Sequence, residues 1–335
     1  MNPRFRRLLI PGLLVALLVV VLVAAIAGRA DGTTSPEPPV DSTVVSRIDD
    51  SRIGESSGLA VSTRHDDLAY TINDSGNAAI VYAVRISTGK VVGTTRVQAN
   101  WLDTEALALR DGMLWVADTG DNVNSRADAA LYALDEPGRG DGTAVPLRYP
   151  VSYDRGPQNV EAIAVHPDTG ETLLLSKGPT GGLVHRLPEK LRESAKNVAT
   201  ATSWTAPAFT TDATYASDGR HVLVRNYPVA EVRDAETWEL VRTDVLPDQQ
   251  QGETIAIEPS GRSYLIGSEG GNSALIRIAF DPEAATATPT PEASPSPATL
   301  PSPDGVRVSP YIIGGLVAVV AIAIVLFFRC RSRPS

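Results

Sequence analysis

The chain has 335 residues, with 30 Lys+Arg and 39 Asp+Glu, for a formal net charge of −9 at pH 7. All 39 acids lie between positions 30 and 308 beside only 23 basic residues, an excess of sixteen acids. Charge of that sign does not hold a phosphate backbone, which excludes nucleic acid as a general partner, and Cys330, the sole cysteine, excludes an intrachain disulfide.

Residues 8–28 carry no charge. At about 1.5 Å rise per residue they are long enough to cross a hydrocarbon core of ~30 Å as a helix. Arg4, Arg6 and Arg7 precede them. Residues 1–30 are therefore expected to be a signal peptide, with Ala25-Ile26-Ala27 as a small-residue cleavage site, or an uncleaved signal anchor. Residues 31–42 read as a linker rich in Thr, Ser and Pro.

Residues 43–281 are repetitive. Ser57-Gly58-Leu59-Ala60-Val61, Glu105-Ala106-Leu107-Ala108-Leu109, Glu161-Ala162-Ile163-Ala164-Val165, Asp212-Ala213-Thr214-Tyr215-Ala216 and Glu253-Thr254-Ile255-Ala256-Ile257 share one period-2 pattern of large and small residues, at spacings of 48, 56, 51 and 41 positions. Each leads into a turn, among them Arg110-Asp111-Gly112, Ser217-Asp218-Gly219 and Pro259-Ser260-Gly261, and then into a second strand. Third strands fit at 80–84, 131–134, 183–186, 230–233 and 274–278. Fourth strands fit at 91–97, 145–151, 199–204 and 240–245. The fifth repeat lacks a fourth strand, and a lone strand at 43–48 precedes the first.

Four-stranded units of this length, repeated around an axis, are propeller blades. The fold expected is an all-β, five-bladed β-propeller, with six blades as the alternative because the 105-to-161 spacing is loose. The N-terminal strand closes the last blade and removes an exposed edge. Two hydrophobic transmembrane-type helices flank the propeller.

Residues 282–308, with Thr288-Pro289-Thr290-Pro291 and Ser294-Pro295-Ser296-Pro297, read as an extended stalk that cannot bury a core. Residues 309–328 are expected to be a transmembrane helix, and residues 329–335, with Arg329, Arg331 and Arg333, a cytoplasmic tail. Positive charge stays inside, so the acidic middle is placed outside the cell membrane.

In a propeller the first strand of each blade is innermost, so the residues opening these strands converge at one mouth of the channel. They are Ser57, Glu105, Glu161, Asp212 and Glu253, preceded two positions earlier by Glu55, Asp103, Asn159, Thr210 and Gln251. The ends of the second strands return to the same mouth with Asp74, Asp118, Lys177, Arg225 and Glu269. So many carboxylates in one ring repel unless a hard cation with six to eight oxygen ligands relieves them. Glu105, Glu161, Asp212, Glu253, Glu55, Asp118 and Glu269 are the candidate ligands. Calcium suits them better than zinc, because the domain has no Cys and its four His fall outside these columns. The alternative is structural: the acids accept hydrogen bonds from backbone amides of the neighbouring blade. Gly54-Glu55-Ser56-Ser57-Gly58 matches G-x-S-x-G, but a β segment follows it instead of the helix that a serine nucleophile needs.

Glu55-Ser56-Ser57-Gly58-Leu59-Ala60, Asp103-Thr104-Glu105-Ala106-Leu107-Ala108, Asp118-Thr119-Gly120-Asp121-Asn122 and Gln251-Gly252-Glu253 resemble phrases of bacterial secreted propellers, the phytase-like and gluconolactonase-like groups. That resemblance implies that Glu105, Glu161, Asp212 and Glu253 are metal ligands, and that bound calcium activates a water in a hydrolase. Phosphate chemistry also wants several basic side chains, and only Lys177, Arg225 and Arg126 are candidates. The expectation is therefore a membrane-anchored binding module that presents a cation at its channel mouth to an envelope or extracellular ligand. The alternative is a calcium-dependent phytase-like or lactonase-like hydrolase.

Overall fold

A computed structural model describes residues 39–283. The signal peptide or anchor, most of the linker, almost all of the stalk and the second apolar stretch lie outside the described residues. No helix among the described residues is long and apolar enough to cross a membrane.

The described chain is all-β. β1 (Ser42–Ile48) stands alone at the start. β2 (Ser56–Val61), β3 (Leu68–Asn73), β4 (Ile80–Arg85) and β5 (Val91–Val97) form the first unit, and β6 (Thr104–Arg110), β7 (Met113–Asp118) and β8 (Ala130–Asp135) open the second. β9 (Gly142–Ala144) and β10 (Leu147–Tyr153) follow. β11 (Val160–Val165), β12 (Thr172–Ser176), β13 (Gly182–Arg186) and β14 (Asn197–Ala206) form the third unit, and β15 (Asp212–Tyr215), β16 (His221–Arg225), β17 (Val229–Asp234) and β18 (Leu240–Val245) the fourth. β19 (Gly252–Ile257), β20 (Ser263–Ser268) and β21 (Ser273–Ala279) end the domain.

Within each unit the strands meander antiparallel from the inside outward. The first turn of each unit contains a left-handed residue: Asp67 at φ 54°, Asp111 at 52°, then Gly170, Gly219 and Gly261 at 75°, 66° and 67°. Asp tolerates that region and Gly enters it freely, which is why these short turns recur.

The first strands β2, β6, β11, β15 and β19 neighbour one another in sequence, and β19 returns to β2, which closes a ring. The core is divided accordingly. One hydrophobic cluster lies between each successive pair of units, such as Tyr70, Ile72, Leu107 and Leu114 between the first two, and Leu59, Ala69, Ala256 and Leu265 where the last meets the first. The small residues of the inner strands let neighbouring sheets approach near the axis, while Leu, Ile and Tyr fill the wider space outside.

β1 pairs antiparallel with β21, from Ser42 opposite Ile278 to Ile48 opposite Ser273, so the lone N-terminal strand completes the last sheet. The two ends of the described stretch therefore lie together. Phe280 N donates to Arg262 O at 2.8 Å, in the β19–β20 turn, so they leave at the end opposite the starts of the inner strands.

The second unit departs from the sequence expectation. Its fourth strand begins at Leu147 and not at Val145. β9 instead pairs parallel with β5 in the first sheet, and β10 starts after the proline against β8. The end of β10 pairs parallel with β14, which joins the second and third units in one eight-stranded sheet. The long spacing from 105 to 161 is taken up by β9 and the loop before β8, with no additional inner strand among the described residues.

Candidate functional site

The inner strands open at one end of the ring, and three of them carry the same backbone irregularity there. The ladder register slips between Thr104 and Ala106, between Val160 and Ala162, and between Gly252 and Thr254. The unpaired residue in each slip is a glutamate: Glu105, Glu161 and Glu253. A β-bulge re-aims its extra side chain, and these three carboxylates act on one another electrostatically at the channel mouth.

The other two repeats differ. In β2 the unpaired residue is Gly58, at φ 76°, and the Ser57 hydroxyl donates to Glu105 O at 2.7 Å across the seam. β15 pairs with β16 without a slip. The Asp212 carboxylate accordingly stays in the wall, where Oδ1 accepts from Ala213 N at 2.8 Å and Oδ2 from Ile255 N of the next unit at 2.9 Å. Asp118 also stands apart. It accepts from the N–H of Asp103 at 2.9 Å and of Leu102 at 3.3 Å, and pairs with the Arg126 guanidinium at 2.9 Å. Of the seven candidates, these two occupy the structural role in which strand-end acids take backbone amides.

The mouth has two halves. In one, Lys177 Nζ lies 3.0 Å from Glu161 Oε2 and 5.5 Å from the centre of the Tyr227 ring. Asn159 Nδ2 donates to Glu161 Oε1 at 2.7 Å, and Gln251 Nε2 to Glu253 Oε1 at 2.8 Å. Burial raises both glutamates above the ordinary carboxylate range, and Lys177 opposes that. Burial also pulls the ammonium of Lys177 down, but Glu161 and Glu253 outweigh it and hold Lys177 above its usual value.

In the other half no ion pair among the described residues reaches the acids, although Arg126 acts on Asp103, and Lys177 on Asp74 and Glu105, from further off. Asp74, Asp103 and Glu105 each bring a carboxylate oxygen within 4.8 Å of the others. Where the third and fifth units place an amide two positions before the bulge, Asn159 and Gln251, the second places Asp103. Glu105 is 6% exposed, and its carboxyl accepts no hydrogen bond among the described residues. Burial, then Glu161, Asp74 and Asp103, push it well above the carboxylate range. Burial and Asp74 push Asp103 up to about 6, the two sharing a hydrogen bond, and burial and Glu55 raise Asp74. Glu269, half-buried at the rim, is pushed up to about 7 by burial and by Glu253, Asp74 and Glu55. Glu55 is exposed and accepts from Asn77 Nδ2 at 2.7 Å. Two like charges at ~4 Å repel by about 4 kcal/mol at an effective dielectric of 20. Full ionisation of Asp74, Asp103 and Glu105 is therefore costly, and a shared proton or a bound cation relieves it.

The backbone is shaped for this cluster. A Cβ at position 120 would collide with Glu105 Oε1 and Asp103 Cγ. The loop carrying Gly120 is itself pinned: Asp121 N donates to Asn159 Oδ1 at 2.6 Å, and Arg126 donates to Gly120 O at 2.6 Å. Asp118-Thr119-Gly120-Asp121-Asn122 thus supports the acids next to it through backbone contacts. Asp74 and Asp103 stood in the sequence columns, but their closeness to Glu105 follows from the seam between the first and second units, which no local pattern reveals.

The fold and the site define an all-β, propeller-type protein with an acidic channel mouth. The chain matches no protein-family model and no curated protein. Among solved structures it is similar to a Thermus thermophilus protein provisionally described as an oxidoreductase (glucose dehydrogenase), at 10% identity over 71% of this chain and 99% of that one, with a TM-score of 0.44. It is also similar to an auxiliary nutrient binding protein from Bacteroides thetaiotaomicron, at 9% identity over 68% and 69% of the two chains, with a TM-score of 0.41. At those values no activity carries over to this chain.

Proposed function

We propose that the protein is a five-bladed, membrane-anchored, extracytoplasmic propeller that acts as a binding module, with calcium held at its acidic mouth. The observation that supports the cation is Glu105, a buried carboxyl without a hydrogen-bond partner, facing Asp74 and Asp103. An all-oxygen donor set of three carboxylates fits a hard cation. Asp74, Asp103 and Glu105 would hold the ion, with Glu269 and Glu55 at the rim. Bound there, the ion supplies positive charge to an anionic or oxygen-rich ligand arriving from outside. Lys177 offsets Glu161, with which it pairs, and acts on Glu253 as well.

The hydrolase alternative has less support. Arg126 is engaged by Asp118, and Arg225 is fully buried against backbone carbonyls. Of the three basic candidates only Lys177 faces the mouth, and it is paired with Glu161.

Calorimetry and thermal melting of the full chain with calcium and with chelator test the reading. Calcium should raise the melting temperature, and Glu105→Gln should abolish the rise. A melting temperature indifferent to calcium and chelator would overturn the cation site.

A further inference from the structure

The outer junction between the second and third units is a short parallel ladder, with Val151 opposite Asn197, Ser152 opposite Val198 and Tyr153 opposite Ala199. Across β14, His185 of β13 lies opposite Ala201. Residues directly opposite share a face, and so do alternate residues of one strand, which puts Tyr153 and His185 on one face of the joined sheet. Their rings meet edge-on, with centroids 5.2 Å apart. His185 has no exposed surface, and neither its two ring nitrogens nor the Tyr153 hydroxyl has a hydrogen-bond partner among the described residues. β12 places Leu174 opposite it. Asp154 and Arg155, both exposed and of opposite sign, are the charges that act on it, and both follow β10 directly. Burial holds His185 below the ordinary imidazole value, Asp154 and the Leu174 backbone oppose that in part, and Arg155 adds to it. An imidazole in such a place is tolerated neutral and costly charged.

We propose that His185 makes this junction an acid-sensitive latch: protonation of its buried imidazole parts the end of β10 from β14 and opens the outer seam between the second and third units. The ladder there is the easiest route to water. β13 is held on both sides by antiparallel pairing, whereas β10 meets β14 over three residue pairs only, in the parallel arrangement that is slightly weaker per residue. Lifting the end of β10 takes the Tyr153 ring off His185 and admits water to the ring nitrogens. The opening also reaches toward the mouth. After Tyr153 the chain runs through exposed residues 154–157 to Asn159, which donates to Glu161 Oε1 at 2.7 Å and accepts from Asp121 N at 2.6 Å. The latch does not depend on a cation at the mouth.

The test is hydrogen exchange of the full chain in chelator at pH 7 and pH 5, read by mass spectrometry as protection factors so that the intrinsic pH dependence of exchange cancels. In acid, opening should rise on peptides covering residues 147–158 and 197–203. The rise is at most about 25-fold, the limit for an imidazole that titrates near 6.5 when open and stays neutral when closed. Peptides of β3 and β4, in the first unit, should not lose protection. His185→Phe should abolish the selective loss, and His185→Gln, also uncharged, replaces it if the Phe variant lowers the melting temperature. No loss at the junction, a loss spread evenly over the domain, or a selective loss that survives in a folded variant would each overturn the proposal.

Discussion

Glu105 and Lys177 show how single side chains divide the mouth. The first is a buried acid with no ion-pair partner among the described residues, and the second is a half-buried base held between two acids. In chelator at pH 8, Glu105→Gln should stabilise the chain by roughly 1 kcal/mol, about the worth of one pKa unit, because repulsion with Asp74 and Asp103 is relieved. Urea titration measures it, and destabilisation would contradict the repulsion. Lys177→Met should cost about 3 kcal/mol, as expected when one member of a largely buried ion pair is removed. Adding Glu161→Gln should recover part of that loss. Glu105, Glu161 and Glu253 were legible in the sequence because each opens an inner strand in the same phrase. Asp212 opened a similar phrase and was grouped with them, but the bulge that turns a side chain into the channel is absent from β15. Whether a strand start is bulged depends on its partner strand, and the phrase alone does not carry that information.

At the scale of elements, side chains that cross the seams fix each unit to the next. Arg225, with no exposed surface, donates to Thr254 O at 2.7 Å, Gly267 O at 2.9 Å and Gln249 Oε1 at 2.5 Å, and so fastens β16 to the last unit. Burial draws its guanidinium down to about 10, still protonated at neutral pH. Arg225→Leu leaves two buried carbonyls without donors, at about 1–3 kcal/mol each, so a loss of about 3 kcal/mol is expected in denaturant unfolding. Trp238 fastens the third unit to the fourth in the same way, Nε1 donating to Thr205 O at 2.8 Å. The meander was legible because each unit alternates large and small residues and then turns, in three of the five on an Asp-Gly or Ser-Gly pair. Two features were not: β9 joining the first sheet, and β10 pairing with β14. Both are parallel contacts between units, and strand patterns encode which face is buried, not which neighbouring edge is available.

At the scale of the whole molecule, stability should respond to pH from two directions. Asp103 at about 6 and Glu269 at about 7 hold protons that unfolded carboxyls release near 4. Their contribution is complete below about pH 4 and is lost as pH rises through 6 to 7. His185 acts in the opposite sense. Burial lowers it, so its contribution is complete above the unfolded value near 6.5 and is lost as pH falls through its lower folded value. Metal-free protein should therefore melt at lower temperature at pH 8 than at pH 6, and calcium should restore more at pH 8, where fewer protons compete for the carboxylates. Equal melting temperatures at the two pH values in chelator would show that the mouth acids do not titrate as described. The pairing of β1 with β21 has a consequence for biogenesis. The first described strand finds its partner only after Ala279 has been synthesised, so the ring stays open until then. The final hydrogen bonds that shut it are made where the two ends of the described domain meet.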